Sequence, residues 1–308
     1  MSKYILKRLL SMIPMLLLIV LIVFFILNIT PGNPALIILG KDAPPEAIAA
    51  LEEELGLNDP LLVRYFNYIK GILKLDFGES YRTGEAVFDV LLPKFPTTLK
   101  LAIFSVIVTA LVGIPLGIVS AVRQYSKLDI SLTVSSLILA SVPGFWLSLM
   151  MILLFSVLLG ILPSSGYTTW QHYVMPVLGI SLPAAAYQAR ITRNQMLETM
   201  RQDYIRTAKA KGADKQRIIW KHALKNTLMP VVTTLGMRFA TMLGGSMITE
   251  KIFGLPGIGN EILKAISMKD TPIILGSTIF LGALFMIIML LVDIIYSFID
   301  PRTKAQFK

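Results

Sequence analysis

From residue 9 to residue 27 the chain runs for nineteen residues without a charge, and apolar stretches return at 96–122, 130–159, 173–189, 228–249 and 273–298. A helix of about 20 apolar residues crosses the hydrocarbon of a bilayer. Within it every backbone amide needs an internal partner, so only helices or closed barrels span. Runs this long read as helices. The expectation is an all-α polytopic membrane protein with six transmembrane helices. Composition agrees: 55% of residues are hydrophobic and 16% charged, against about 25% charged in soluble domains.

Lys3, Lys7 and Arg8 precede the first run, which at first sight resembles a signal peptide. The run is longer than the roughly 7–15 residues of such a core, and no small-x-small cleavage site follows. A retained first span within 1–30 is expected. Residues 31–95 differ in kind, being polar and acidic. Pro45 starts a helix that Gly56 stops. Asp59-Pro60 caps another, with Leu62, Tyr65, Phe66, Ile69 and Leu73 as its apolar stripe, and a third runs over about 85–92. This is a small extracytoplasmic helical domain between the first two spans. Residues 96–308 form a five-helix core. Gly113 and Gly117, around Pro115, mark a kink or a close helix contact in the second span. Ser141 to Trp146, with Pro143 and Gly144, interrupts the third span, which is long enough to tilt.

Six crossings put both termini on one side. With the N-terminus inside, the inner pieces carry eighteen basic and five acidic residues, and the outer pieces nine basic and thirteen acidic. That is the positive-inside bias. It accounts for the net charge of +10 without nucleic acid. The chain has no cysteine and two distant histidines, His172 and His222. Disulfides, thiolate chemistry and His-rich metal clusters are excluded, and no metal or catalytic site is expected.

Residues 203–226 are neither apolar nor disordered in character. Asp203 to Lys211 makes a short helix with Tyr204, Ala208 and Lys211 on one face. Gly212 ends it, and Asp214 caps a second helix whose buried stripe is Ile218, Ile219, His222 and Ala223. Two short helices, a turn glycine and basic residues also describe a DNA-binding helix-turn-helix. A piece tied to the bilayer at both ends is a poor shape for entering a groove.

The run Asp203-Tyr204-Ile205-Arg206-Thr207-Ala208-Lys209-Ala210-Lys211-Gly212, followed by Pro230 near the start of an apolar segment, resembles the coupling loop of ABC importer permeases in their dipeptide, oligopeptide and nickel branch. The family pattern often has Glu-Ala-Ala where Arg206-Thr207-Ala208 stands, a change that this branch tolerates. Further motifs are similar to the same branch: Gly32-Asn33-Pro34 after Pro31, Leu55-Gly56-Leu57, Asp76-Phe77-Gly78-Glu79-Ser80, Glu250 to Gly259, and Asp300-Pro301-Arg302. The resemblance implies the type I importer permease fold in the inner membrane of a prokaryote, with cytoplasmic termini. It implies a heterodimer with a second permease subunit, two ATPase subunits inside that hold ATP and Mg, and an extracytoplasmic binding protein delivering peptides. It places Asp203, Tyr204, Arg206, Thr207, Ala208, Lys211 and Gly212 on the ATPase, and Glu250, Phe253, Pro256, Gly257 and Gly259 in a receptor-facing loop. Nickel chelates, glutathione and opines are alternative substrates.

The chain has no Gly-x-x-x-x-Gly-Lys-Ser/Thr phosphate loop, so energy comes from partners or from an ion gradient. An ion-coupled carrier acting alone calls for buried carboxylates within spans and an internal repeat. Only Asp293 qualifies, and no repeat is visible. An intramembrane enzyme lacks a catalytic constellation. Arg238 sits about nine residues into the fifth span, roughly 14 Å deep. It either snorkels or pairs with Asp293, or it stands on the translocation path with Asp293, Ser141, Pro143 and Trp146.

Overall fold

The computed structural model describes residues 2–29, 32–40 and 42–299. Pro31 and the closing Asp300-Pro301-Arg302 lie outside them. The described residues form fifteen α-helices: α1 (Ser2–Ile29), α2 (Pro34–Leu39), α3 (Pro45–Glu54), α4 (Leu61–Leu73), α5 (Val87–Leu91), α6 (Phe95–Val122), α7 (Lys127–Ser141), α8 (Gly144–Met151), α9 (Gln171–Met200), α10 (Asp203–Ala210), α11 (Lys215–Arg217), α12 (Leu224–Gly245), α13 (Met247–Ile252), α14 (Ile258–Met268) and α15 (Thr271–Ile299). Wider π-type turns extend α8 over Ile152–Leu158 and join α11 to α12 over Ile218–Ala223.

Three segments are long and apolar enough to cross a membrane: Arg8–Ile29, Phe95–Val122 and Thr271–Ile295. Lys127–Ser141 and Gly144–Leu158 qualify together but meet at 94°. The sequence suggested one tilted span here. Pro143 has no N–H to give and pushes Val142 out of helical geometry, and Val142 is extended at φ −78°, ψ 126°. α9 and α12, also read as spans, fall below that apolarity. They carry Gln188, Arg190 and Arg238, and α9 is enclosed by α6, α7, α8 and α12. A helix shielded by other helices needs less apolar surface than one facing lipid.

α6 and α9 form the most extensive helix pair. A Cβ on Gly113 would stand 2.8 Å from the carbonyl oxygen of Ala185, and one on Gly117 2.5 Å from that of Ala189. The helix continues through Pro115. The glycines therefore make a close contact and no break.

Of the helices between α1 and α6, α4 and α5 share their core with the rest. Tyr65, Val87, Val90 and Leu91 pack with Phe24 of α1, Ile262 of α14 and Ile273 of α15. The Tyr65 hydroxyl donates to the carbonyl of Leu17 at 3.1 Å. The stripe expected on α4 is corrected here: Tyr65 is buried, but Leu62, Phe66 and Leu73 are exposed. Ile69 packs as expected, and Leu61, Tyr68 and Ile72 complete the face in place of the exposed three. Asp59 gives α4 no side-chain cap; Pro60 occupies that position.

Candidate functional site

The first part of the site is the α10–α11 pair. Ile205 is fully buried against Ile218, Ile219 and Ala223, and this cluster rests on Ile118 and Ala121 of α6 and Met196 of α9. The pair is thus anchored by one face. Gly212 turns the chain at φ +79°, a left-handed conformation that glycine adopts without strain. The opposite face holds a groove of about 400 Å³ lined by Tyr204, Thr207, Ala208, Lys211, Gly212 and residues of α11 and its extension. Five of the seven expected coupling residues meet there. The other two, Asp203 and Arg206, form an exposed pair at 3.4 Å. Asn226 donates to the Tyr204 hydroxyl at 2.7 Å, which ties α12 to α10. Two details differ from expectation. His222 lines the groove with Arg217 and lies outside the buried stripe, and Asp214 makes no side-chain cap bond.

A clamp that sequence reasoning missed stands behind this pair. Arg193 of α9 donates to both oxygens of Asp129 at 2.7 and 2.8 Å. Asp129 also accepts the backbone N–H of Tyr125 at 2.9 Å and the hydroxyl of Ser120. Its side chain is 3% exposed. A forked, planar bond of this kind fixes orientation as well as distance. The only sequence signal was an acid-base pair 64 residues apart.

The second part is a cavity of about 480 Å³ between the α7–α8 bend, α9 and α12, lined by Gly144, Phe145, Pro183, Tyr187, Arg238 and Thr241 among others. The Arg238 guanidinium lies over the Tyr187 ring, 4.7 Å from its centre. Ser141, Pro143 and Trp146 form the bend beside the cavity and are absent from its lining. The expected Arg238–Asp293 pair does not form. Asp293 pairs with Arg8 of α1 at 3.1 Å, because the start of α1 packs beside the end of α15.

The third part is the loop from Glu250 to Gly259. Glu250 is fully buried. It accepts hydroxyls from Thr98 and Ser246, each at 2.8 Å, and the N–H of Asn260 at 2.9 Å. A Cβ on Gly257 would collide with its carboxylate, and one on Gly259 would stand 2.7 Å from the Met247 Cα. Phe253 is 1% exposed. Glu250, Phe253, Gly257 and Gly259 therefore face the interior and offer no side chain to an outer partner, while Pro256 is partly covered. The resemblance made this a receptor-facing loop, whereas its glycines admit a buried carboxylate. Among the described residues no cluster of His, Asp and Glu has the makings of a metal site.

A helical bundle that carries a helix pair anchored by one face is the class of fold to which the comparisons give a family. Residues 113–305 match the family described as binding-protein-dependent transport system inner membrane component, and residues 1–102 match its N-terminal companion. The chain belongs to this family: it is a multi-pass inner-membrane permease of the ABC importers, which work with ATPase and substrate-binding partners. It is 40% identical to the dipeptide transport system permease protein DppB of Alkalihalophilus pseudofirmus, over 99% of this chain and 100% of that one. It is 38% identical to the glutathione transport system permease protein GsiC of Salmonella typhimurium, with the same coverage. An inward-facing structure of the MetNI methionine ABC transporter superposes with a TM-score of 0.59 at 21% identity, over 68% of this chain and 96% of that one. This establishes the type I importer fold.

Proposed function

We propose that this chain is one of two non-identical permease subunits of an ATP-driven importer of di- and oligopeptides. The observation that carries the reading is the groove on α10–α11, whose back face is locked to α6 and α9 through Ile205 and its neighbours. A surface held this way transmits a push into the bundle without a separate hinge. In this reading ATP and Mg sit on two partner ATPases, and their closure drives the α10–α11 pair. The bundle then alternates between inward- and outward-facing states. The basic excess of the inner pieces supports a cytoplasmic side for the termini and α10–α11. The Arg8–Asp293 pair supports placing both ends of the bundle together. The receptor protein lands on the outer helices and on the exposed face of α14, which presents Lys264, Ile266 and Met268.

Peptide transport draws on the relative named for dipeptides. The relative named for glutathione gives a second substrate, itself a peptide. The test is reconstitution in liposomes with the second permease, the ATPases and the receptor protein, with labelled dipeptide, longer peptide and glutathione outside. ATP-dependent accumulation of a peptide supports the reading. A chain that moves substrate with no ATPase present, driven by an ion gradient, refutes it.

A further inference from the structure

Tyr187 and Arg238 line the cavity at the α7–α8 bend, the exposed Arg190 stands outside its lining, and the three make an arrangement that the coupling reading leaves unused. Two guanidinium groups share one tyrosine: Arg238 lies 4.7 Å and Arg190 5.5 Å from the centre of the Tyr187 ring. Among the described residues neither arginine has a carboxylate within ion-pair reach. The acid expected for Arg238 is engaged by Arg8. Two like charges around one ring in a membrane bundle attract an anion, because charge inside a bilayer is costly without a counter-charge. The cavity, lined by Arg238 and Tyr187, is large enough for a small solute; Thr241 and Ser246 also line it, with their hydroxyls already bonded to the Arg238 carbonyl and to Glu250.

The order along the bundle follows from the helix contacts. Thr234 of α12 donates to Gln188 of α9 at 3.0 Å, which sets those two residues at one level. Arg238 lies four residues beyond Thr234, away from α10. Arg190 lies two residues beyond Gln188, toward it. Tyr187 stands between them. The aromatic face is a resting partner for a guanidinium that has no acid, and weak enough to give way to one. A carboxylate offers a forked, charge-assisted bond in its place.

We propose that Arg238, Tyr187 and Arg190 form an anion subsite that takes the terminal carboxylate of the transported substrate, first at Arg238 and then at Arg190. The proposal rests on the peptide-permease reading and adds the part of the substrate that the bundle itself recognises. Two stations allow hand-over without either arginine holding the cargo tightly.

The experiment uses the full reconstituted complex and compares uptake of a dipeptide with its C-terminal amide, per assembled complex measured by co-purification. The receptor protein is identical in every sample, so a change in the free-to-amide ratio reports on the permease. Arg238→Gln should lower uptake of the free peptide about tenfold, the factor expected for losing a charge-assisted bond. It should change the amide less than about twofold. Arg238→Lys should recover part of the loss, keeping the charge without the fork. Tyr187→Phe should resemble the parent, and Tyr187→Leu should resemble Arg238→Gln. Arg190→Gln should lower the ratio as well. A ratio that stays constant while both peptides decline together overturns the subsite and leaves the permease reading standing. A parent complex that imports neither peptide overturns both.

Discussion

Glu250 of α13 and Thr98 of α6 meet in the interior, hydroxyl to carboxylate at 2.8 Å, from positions 152 apart in the chain. The same Thr98 oxygen accepts the N–H of Ile258, which opens α14. One threonine and one glutamate therefore join three helices at one end of the bundle. Removing the carboxylate leaves the donors from Thr98, Ser246 and Asn260 unmet. Glu250→Ala should cost about 1–3 kcal/mol for each donor left buried. Glu250→Gln, which keeps the shape and one acceptor oxygen, should cost less. Thermal aggregation of the purified protein in detergent measures both, and an alanine variant as stable as the glutamine variant would falsify the assignment.

Arg193 and Asp129 make a second prediction. Arg193→Ala strands a nearly buried carboxylate, at a cost of about 3–5 kcal/mol. Asp129→Ala combined with Arg193→Ala should be less damaging than the sum of the single changes. Strictly additive losses in the same thermal assay would mean that the two side chains act independently.

Gly212 separates a conformational cost from a steric one. A Cβ there would meet nothing within 4 Å, so any penalty comes from φ +79°. Gly212→Val should cost about 1–3 kcal/mol locally, and Gly212→Asn less, since asparagine tolerates the left-handed region. Insertion should survive in both, while uptake and transport-stimulated ATP hydrolysis fall in the valine variant alone. Normal uptake by well-expressed Gly212→Val would remove the turn from the coupling mechanism.

The α6–α9 seam gives a paired prediction. Gly117→Ala forces a Cβ toward the Ala189 carbonyl, an overpacking of about 1–3 kcal/mol. Gly244→Ala in α12 meets open space and should be neutral or stabilising by up to about 1 kcal/mol. Melting temperatures that move alike for the two would contradict the close contact.

The helical class, the element order and the α10–Gly212–α11 turn were legible, because long apolar runs, a helix-stopping glycine and charge bias are local signals. The direction in which side chains face was not. Arg238 looked like a partner for Asp293 because both are charges within apolar runs, yet which helix ends lie adjacent is set by packing, and α1 places Arg8 there first. Glu250 looked like an exposed loop residue because its neighbours are Gly and Pro. Its burial depends on Thr98, which carries no sign of it in sequence. The Asp129–Arg193 clamp was invisible for the same reason. The bend at Pro143 was partly legible: the interruption could be read, its angle of 94° could not.

Helices α4 and α5 draw their hydrophobic interior from α1, α14 and α15. Residues 61–91 are for that reason no detachable module. Cut out and expressed alone, they would lose the surfaces that Tyr65, Val87 and Leu91 press against. A chimera that transplants α4 and α5 from one permease to another must carry the first helix and residues 258–279 with them. Sequence exchange between relatives should leave these distant segments inherited as a set.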